Sequence, residues 1–199
     1  MTKTAQPLSQ YLVSIIVLTL GILACEEPFT QPKKYGYPRM ELPKDHGYSH
    51  FSNETCPFSF DYPDYGEISR DMSDSCWVDI TFPDYDLTWH FTYRNTLSSK
   101  KSRGQHFEEY RRLIYKHSPK ASHIEANPLE APSGKGTLFE IYGEVGTPAQ
   151  VFLYDKKEED IMMMSFYFRT ATENDSLAPL SAYMKEEVEK MLNTFEWKE

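Results

Sequence analysis

The sequence is short of glycine, of cysteine and of positive charge. Of its 199 residues 9 are glycine and 3 are cysteine, and 21 lysines and arginines face 30 aspartates and glutamates, which gives a net charge of −9. So little glycine and cysteine excludes a collagen-like repeat and a disulfide-dense miniprotein. The acidic balance argues against nucleic-acid binding, because the phosphate backbone would be repelled. The length suits one medium domain.

Recognisable catalytic motifs are also missing. The sequence has no Gly-x-Ser-x-Gly, no phosphate loop, no His-Glu-x-x-His and no cysteine–histidine metal spacing. We therefore assign no catalytic residue, no cofactor and no metal ligand, and predict that the protein is not an enzyme. The many carboxylates between Asp61 and Asp86 leave one alternative open, an envelope enzyme acting on glycans through a carboxylate pair.

No apolar run is long enough to span a membrane, but a shorter run near the N-terminus is informative. Tyr11 to Leu23 is uncharged and apolar over 13 residues, whereas a membrane span needs about 20. Its length matches the apolar core of a secretory signal. The end of the run and the two residues after it, Ile22-Leu23-Ala24-Cys25, resemble a bacterial lipobox. We predict a signal peptide over residues 1–24 and lipidation at Cys25, with a plain secretory peptide or an uncleaved anchor as the alternatives.

Residues 25–55 are rich in proline and show no hydrophobic period. Pro28, Pro32, Pro38 and Pro43 prevent a regular helix and disfavour strand pairing. We predict a lipid-anchored tether over residues 25–55, long enough to hold a domain roughly 30 Å from its anchor.

From Cys56 onward, apolar and polar residues alternate as they do in strands with one buried face. Two segments show helical spacing instead, about Arg103 to His117 and about Leu177 to Thr194. On the second helix we expect Glu186, Glu187, Glu189 and Lys190 to face water. Residues 56–199 are thus predicted to form a single α+β domain, an antiparallel sheet of about six or seven strands covered by two helices. The predicted strands are 58–62, 77–82, 87–93, 122–126, 137–145, 149–154 and 161–170, the last two forming a hairpin.

Two cysteines and two tyrosines in this domain are candidate site residues. Cys56 and Cys76 are a candidate disulfide in an oxidising envelope. Each begins a strand, so a simple hairpin would hold them at opposite ends, too far apart to be bridged. Tyr65 and Tyr85 each end a Pro-Asp-Tyr turn and are candidate partner contacts, because tyrosine is favoured at interfaces. The alternative is that both rings pack under their own turns.

Several of these motifs together are similar to a known family. The residues concerned are Cys56-Pro57-Phe58-Ser59-Phe60, Cys76-Trp77 and Tyr115-Lys116-His117. The chain resembles the GldD family of gliding-motility lipoproteins of Bacteroidetes-type bacteria. Its C-terminal helix, which ends near Phe195 and Trp197, resembles that of the PsbP-like fold, an antiparallel sheet sandwiched by helices.

The first resemblance implies a cell-envelope protein held by its lipid at the outer membrane. Members of the family are needed for gliding, which is linked to type IX secretion, so the expected partners are envelope proteins of that machinery. No nucleic acid is expected. The second resemblance implies a further alternative, a ligand-binding module of the PsbP-like type.

Overall fold

Two antiparallel sheets make up most of the domain. The structure is a computed structural model, and it describes residues 41–43, 45–69, 76–116, 119–169 and 177–198. These belong to one compact unit. The strands within the described residues are β1 (Tyr48–Ser52), β2 (Phe58–Pro63), β3 (Glu67–Ser69), β4 (Trp77–Phe82), β5 (Leu87–Asn95), β6 (Ala121–Ala131), β7 (Gly134–Gly143), β8 (Ala149–Tyr154), β9 (Asp160–Phe168) and β10 (Glu196–Trp197).

The larger sheet has seven strands in the order β3-β4-β5-β9-β8-β7-β6. Its strands alternate as their sequences predict: in β5, Leu87, Trp89 and Phe91 are buried. Leu87, Trp89 and Phe91 pair across the sheet with the buried β9 residues Phe168, Phe166 and Met164. The predicted hairpin is formed by β8 and β9. Its turn is closed by Asp155, whose carboxylate accepts from the backbone N–H groups of residues 157, 159 and 160.

The smaller sheet consists of β2 flanked by β1 and β10. It lies with the C-terminal helix over one face of the large sheet, which we call the inner face. The Phe60 ring of β2 is 4.7 Å from the Phe91 ring of β5 and 6.1 Å from that of Phe195, centroid to centroid. These side chains belong to one continuous apolar core, whose burial is the main favourable contribution to folding.

The described residues also contain three α-helices, α1 (Thr96–Ser99), α2 (Arg103–Tyr115) and α3 (Ala178–Thr194), and one turn of 3₁₀ helix at Pro83–Tyr85. α2 begins at a capping box, in which the Ser102 hydroxyl accepts from the Gln105 N–H and the Gln105 side chain accepts from the Ser102 N–H. Tyr110 and Ile114 of α2 pack on the outer face of the large sheet and form a second core there. The domain is therefore layered, with α2 outside, the large sheet in the middle, and the small sheet with α3 inside.

The predicted α+β class is confirmed, and so is an antiparallel sheet of seven strands with helices packed on it. The strand content differs in two ways. β2 was expected in the main sheet and lies in the small one, and the short strands β1, β3 and β10 were not predicted.

The predicted tether extends too far along the chain. β1 lies inside residues 25–55, pairs with β2 along its whole length and buries Phe51. The folded domain therefore begins before Cys56. The pattern was not visible in the sequence because Phe51 is the one buried residue of β1, so no apolar alternation marks the strand.

Candidate functional site

The segment just before β1 lies against the domain and is held there by hydrogen bonds. We call residues 41–43 and 45–47 the strap. The hydroxyl of Tyr85 donates to the Glu41 carbonyl over 3.1 Å, and that of Tyr183 donates to the Pro43 carbonyl over 3.0 Å. Gly47 and Asp64 are joined twice, since the Gly47 N–H donates to the Asp64 carboxylate and the Asp64 N–H donates to the Gly47 carbonyl, each over 3.0 Å.

A buried carboxylate on α3 is the electrostatic centre of this region. Glu187 is 1% exposed. The Tyr48 hydroxyl and the Lys190 ammonium each donate to it over 2.9 Å, and His46 Nε2 lies 3.4 Å from it. A buried carboxylate needs such partners, because desolvation otherwise disfavours its charge. The hydrogen bond to Glu187 raises the pKa of Lys190 above its ordinary value, so the cation remains charged at neutral pH.

Glu187 was expected to face water, and that prediction is wrong. The residue lies three positions after Met184 and four before Met191, and both methionines are buried. This spacing places it on the apolar stripe of the helix and not on the solvent face. A charged residue at a stripe position, followed by a lysine three residues later, is the signal that would have revealed it.

An aromatic cluster also contacts the strap. The His46 ring lies between those of Tyr48 and Tyr65, with centroids 5.1 and 5.0 Å away. The Tyr65 hydroxyl donates to that of Tyr183 over 3.4 Å. Burial raises the pKa of the Tyr65 hydroxyl well above its ordinary value, so it remains protonated and able to donate.

The structure brings the two candidate contact tyrosines together. The ring centroids of Tyr65 and Tyr85 are 6.2 Å apart, and both rings are partly buried against the inner core. Their hydroxyls bond to Tyr183 and to the strap. These internal contacts favour the packing alternative, and a role for the two residues in partner binding stays a prediction.

A cleft of about 760 Å³ opens beside the strap. Strap residues form one side of it, and Asp64, Tyr65 and Lys190 form the other. Of the last three, Asp64 binds Gly47 and Lys190 binds Glu187. The polar groups of the cleft therefore already hold the strap and α3 together.

Cys56 and Cys76 form a disulfide, with their Cα atoms 5.3 Å apart. The distance is possible because β2 and β4 are not hairpin partners but belong to different sheets. Cys56 lies in the turn that enters β2, and Cys76 immediately precedes β4. The bridge thus ties the small sheet to the large one across the inner core.

The carboxylates between Asp61 and Asp86 do not form one cluster. Asp61 on β2 accepts a hydrogen bond from His50 Nδ1 on β1 over 2.7 Å. Asp79 accepts one from His90 Nδ1 over 2.8 Å on the large sheet. Asp86 is paired with Arg169. Asp61 and Asp79 alternate with buried neighbours and point out of different sheets. No group of three or more potential metal ligands occurs among the residues that the structure describes.

The predictions for the N-terminal region lie outside the described residues. They are the signal peptide over residues 1–24, the lipidation of Cys25 and the tether as far as residue 40. Among the described helices, none is both long enough and apolar enough to cross a membrane.

Comparison with protein families gives a match over nearly the whole chain. The family model described as gliding motility lipoprotein GldD matches residues 27–197. The chain belongs to the GldD family. Members of this family are lipoproteins of gliding motility, so a lipid-anchored envelope protein follows from the match. No curated protein matches the chain.

Two solved structures are similar to this GldD-family chain at low identity. One is a crystal structure from Bacteroides thetaiotaomicron VPI-5482, with 14% identity and a TM-score of 0.45; the alignment covers 78% of this chain and 50% of that one. The chain thus spans half the length of that protein. The other is the solution structure of cyanobacterial PsbP (CyanoP) from Synechocystis sp. PCC 6803, with 10% identity and a TM-score of 0.44, covering 80% and 98%. We draw no functional inference from either, because both TM-scores lie below 0.5.

Proposed function

We propose that the protein is a noncatalytic accessory of the gliding and type IX secretion machinery, lipid-anchored at the outer membrane, and that it acts by binding another envelope protein. The observation that carries the proposal is the family match over residues 27–197. The matched region begins two residues after Cys25, which fits a mature chain that starts at that cysteine.

The side-chain pairing supports binding over turnover. A catalytic carboxylate or histidine has to be available to a substrate. Here Glu187, Asp64 and His46 all contact the chain's own strap and helix. The other histidine–carboxylate pairs among the described residues lie apart, on β1 and β2, on β4 and β5, and within β6. The groups that most resemble a chemical site thus hold the fold together.

The anchor is tested by replacing Cys25 with serine at the chromosomal locus. We expect the domain to leave the membrane fraction, the acyl label to disappear and gliding to be lost. A variant with Ser9→Cys in an otherwise unchanged chain is the matched control, because its new thiol lies outside the lipobox. Tight membrane association of the Cys25→Ser protein, together with no acyl label on the wild type, would contradict the proposal.

Partner binding is tested by photo-crosslinking in living cells. The crosslinker replaces Leu113 or Tyr115, which are exposed at 53% and 43% on α2, and in a control it replaces the fully buried Phe60. We expect a crosslinked species that contains a component of the gliding or secretion machinery and disappears when that component is deleted. If gliding is normal in the crosslinker strains and no surface position yields such a species, protein binding is the wrong mechanism.

A further inference from the structure

Part of the outer face of the large sheet lies beyond the second core formed by α2. The helix packs on Phe139 and Phe152, which belong to β7 and β8. On β4, β5 and β9 the outward side chains form a grid of three rows defined by the strand register. We call it the open face, and its rows are Trp77–Thr92–Met163, Asp79–His90–Ser165 and Thr81–Thr88–Tyr167. Met163, at one corner, packs against the second core and marks the border of the open face.

Three rings lie along a diagonal of this grid. Trp77 occupies one corner, His90 the centre and Tyr167 the opposite corner. Trp77 and Tyr167 are 52% and 39% exposed, and His90 is partly exposed. The His90 and Tyr167 centroids are 6.1 Å apart. Each diagonal step crosses one strand spacing of about 4.8 Å and advances about 6.8 Å along the strand, the length of two residues. Two such steps give the three rings a span of roughly 17 Å. Exposed Trp and Tyr side chains are enriched at contact surfaces of soluble proteins.

The open face is small and has little net charge. With about 10 Å across the strands and 14 Å along them, plus the width of the side chains, it covers on the order of 300 Å². A stable protein interface buries about 800 Å² on each partner, so the grid is too small for a second copy or a globular partner.

The charges on the grid are also balanced. Asp79 is bonded to His90 over 2.8 Å, and the Arg94 guanidinium lies 5.9 Å from the Trp77 ring. Four of the remaining grid residues carry hydroxyls: Thr81, Thr88, Thr92 and Ser165. On a chain of net charge −9, this face complements neither a polycation nor a polyanion.

We propose that the open face binds an extended, uncharged glycan chain of the cell envelope. Sugar rings present flat C–H faces that pack on aromatic rings, and their hydroxyls exchange hydrogen bonds with threonine, aspartate and histidine side chains. Exposed Trp77 and Tyr167 at the two ends, with His90 between them, suit an oligosaccharide running along the diagonal. This site is separate from the strap and does not depend on the function proposed above.

Tryptophan fluorescence gives a direct test. Of the three tryptophans, Trp77 is 52% exposed and Trp89 is completely buried. The full lipidated chain, in a detergent without sugar head groups, is titrated with cellohexaose, chitohexaose and mannohexaose. We expect a saturable fluorescence change with at least one of them, and we expect Trp77→Phe to abolish most of that change.

Calorimetric titration of matched variants locates the site. Trp77→Ala and Tyr167→Ala should each weaken binding by about tenfold, as expected for the loss of one stacked ring. Tyr142→Ala is the control, because Tyr142 is similarly exposed at 36% but lies on β7 against His123, and it should leave the affinity within about twofold. The melting temperature of every variant is measured to confirm folding.

Three results would overturn the proposal. One is the absence of saturable binding to any of the three hexasaccharides. Another is an equal loss of affinity in Tyr142→Ala, and the third is tighter binding of dextran sulfate than of every neutral sugar.

Discussion

The start of the folded domain can be tested at Phe51. This ring is 5% exposed, stacks on Phe60 at 5.0 Å and lies 5.9 Å from Phe58, centroid to centroid. It is the one side chain through which β1 enters the inner core. If residues 25–55 were only a tether, Phe51→Ala would have no effect on stability.

The structure predicts a large loss instead. Replacing a buried phenylalanine with alanine costs about 3–5 kcal/mol, against a total stability of about 5–15 kcal/mol for a domain. One kcal/mol corresponds to about 2–4 °C in melting temperature for a protein of 150–250 residues. We therefore expect Phe51→Ala to lower the melting temperature by at least about 6 °C, and Phe51→Leu, which keeps more of the volume, to lower it less.

The assay is thermal unfolding followed by circular dichroism, on chains beginning at Glu41 and at Asn53. The chain beginning at Asn53 lacks β1 and also removes Tyr48 and His46 from Glu187, so it should be less stable than Phe51→Ala. A chain beginning at Asn53 that melts within about 2 °C of the longer one would refute the assignment of β1 to the domain.

Three further outcomes are expected. Closure of a 20-residue loop by the disulfide contributes about 3 kcal/mol in the chain-entropy model. Cys56→Ala with Cys76→Ala should therefore melt roughly 6–12 °C lower, and a smaller drop than reductant causes in the wild type would contradict this. Burial lowers the pKa of His106, so below about pH 6.5 the unfolded state binds a proton that the folded state does not. The free energy of unfolding should therefore fall between pH 7 and pH 5 in urea titrations, and less steeply in His106→Gln; an equal slope would refute the assignment. Tyr65→Ala with Tyr85→Ala should lower both the melting temperature and the cellular abundance, because these two rings hold the strap on the domain. If the variant protein has normal stability and gliding is nevertheless lost, the two tyrosines are partner contacts instead.

The sheet was predictable wherever one face is buried along several residues. β5 and β9 have long alternating runs, and their register follows from those runs. β3 and β10 have three and two residues, too few for any period to be visible. Their pairing depends on neighbours distant in sequence, which a local pattern does not contain.

The site was less predictable than the fold. Glu187 was missed because a glutamate among Glu186 and Glu189 resembles a solvated face, although its spacing from Met184 and Met191 places it inside. The open face follows from alternation in β5, since Thr88, His90 and Thr92 are the polar positions. That it remains open depends on where α2 lies on the sheet, which is a tertiary contact.

If the chain is anchored at Cys25, as proposed above, the disulfide has a mechanical consequence. A pull from the membrane would act on the strap through Glu41, the first residue that the structure describes. It would break the hydrogen bonds that the Tyr85 and Tyr183 hydroxyls donate to the strap, and then separate β1 from β2. Four residues beyond the end of β1 it would meet Cys56, which is covalently joined to the start of β4. Detachment would stop there, because the force would pass through the sulfur bridge into the seven-stranded sheet. The strap and β1 would therefore detach first, while the larger part of the core remained folded.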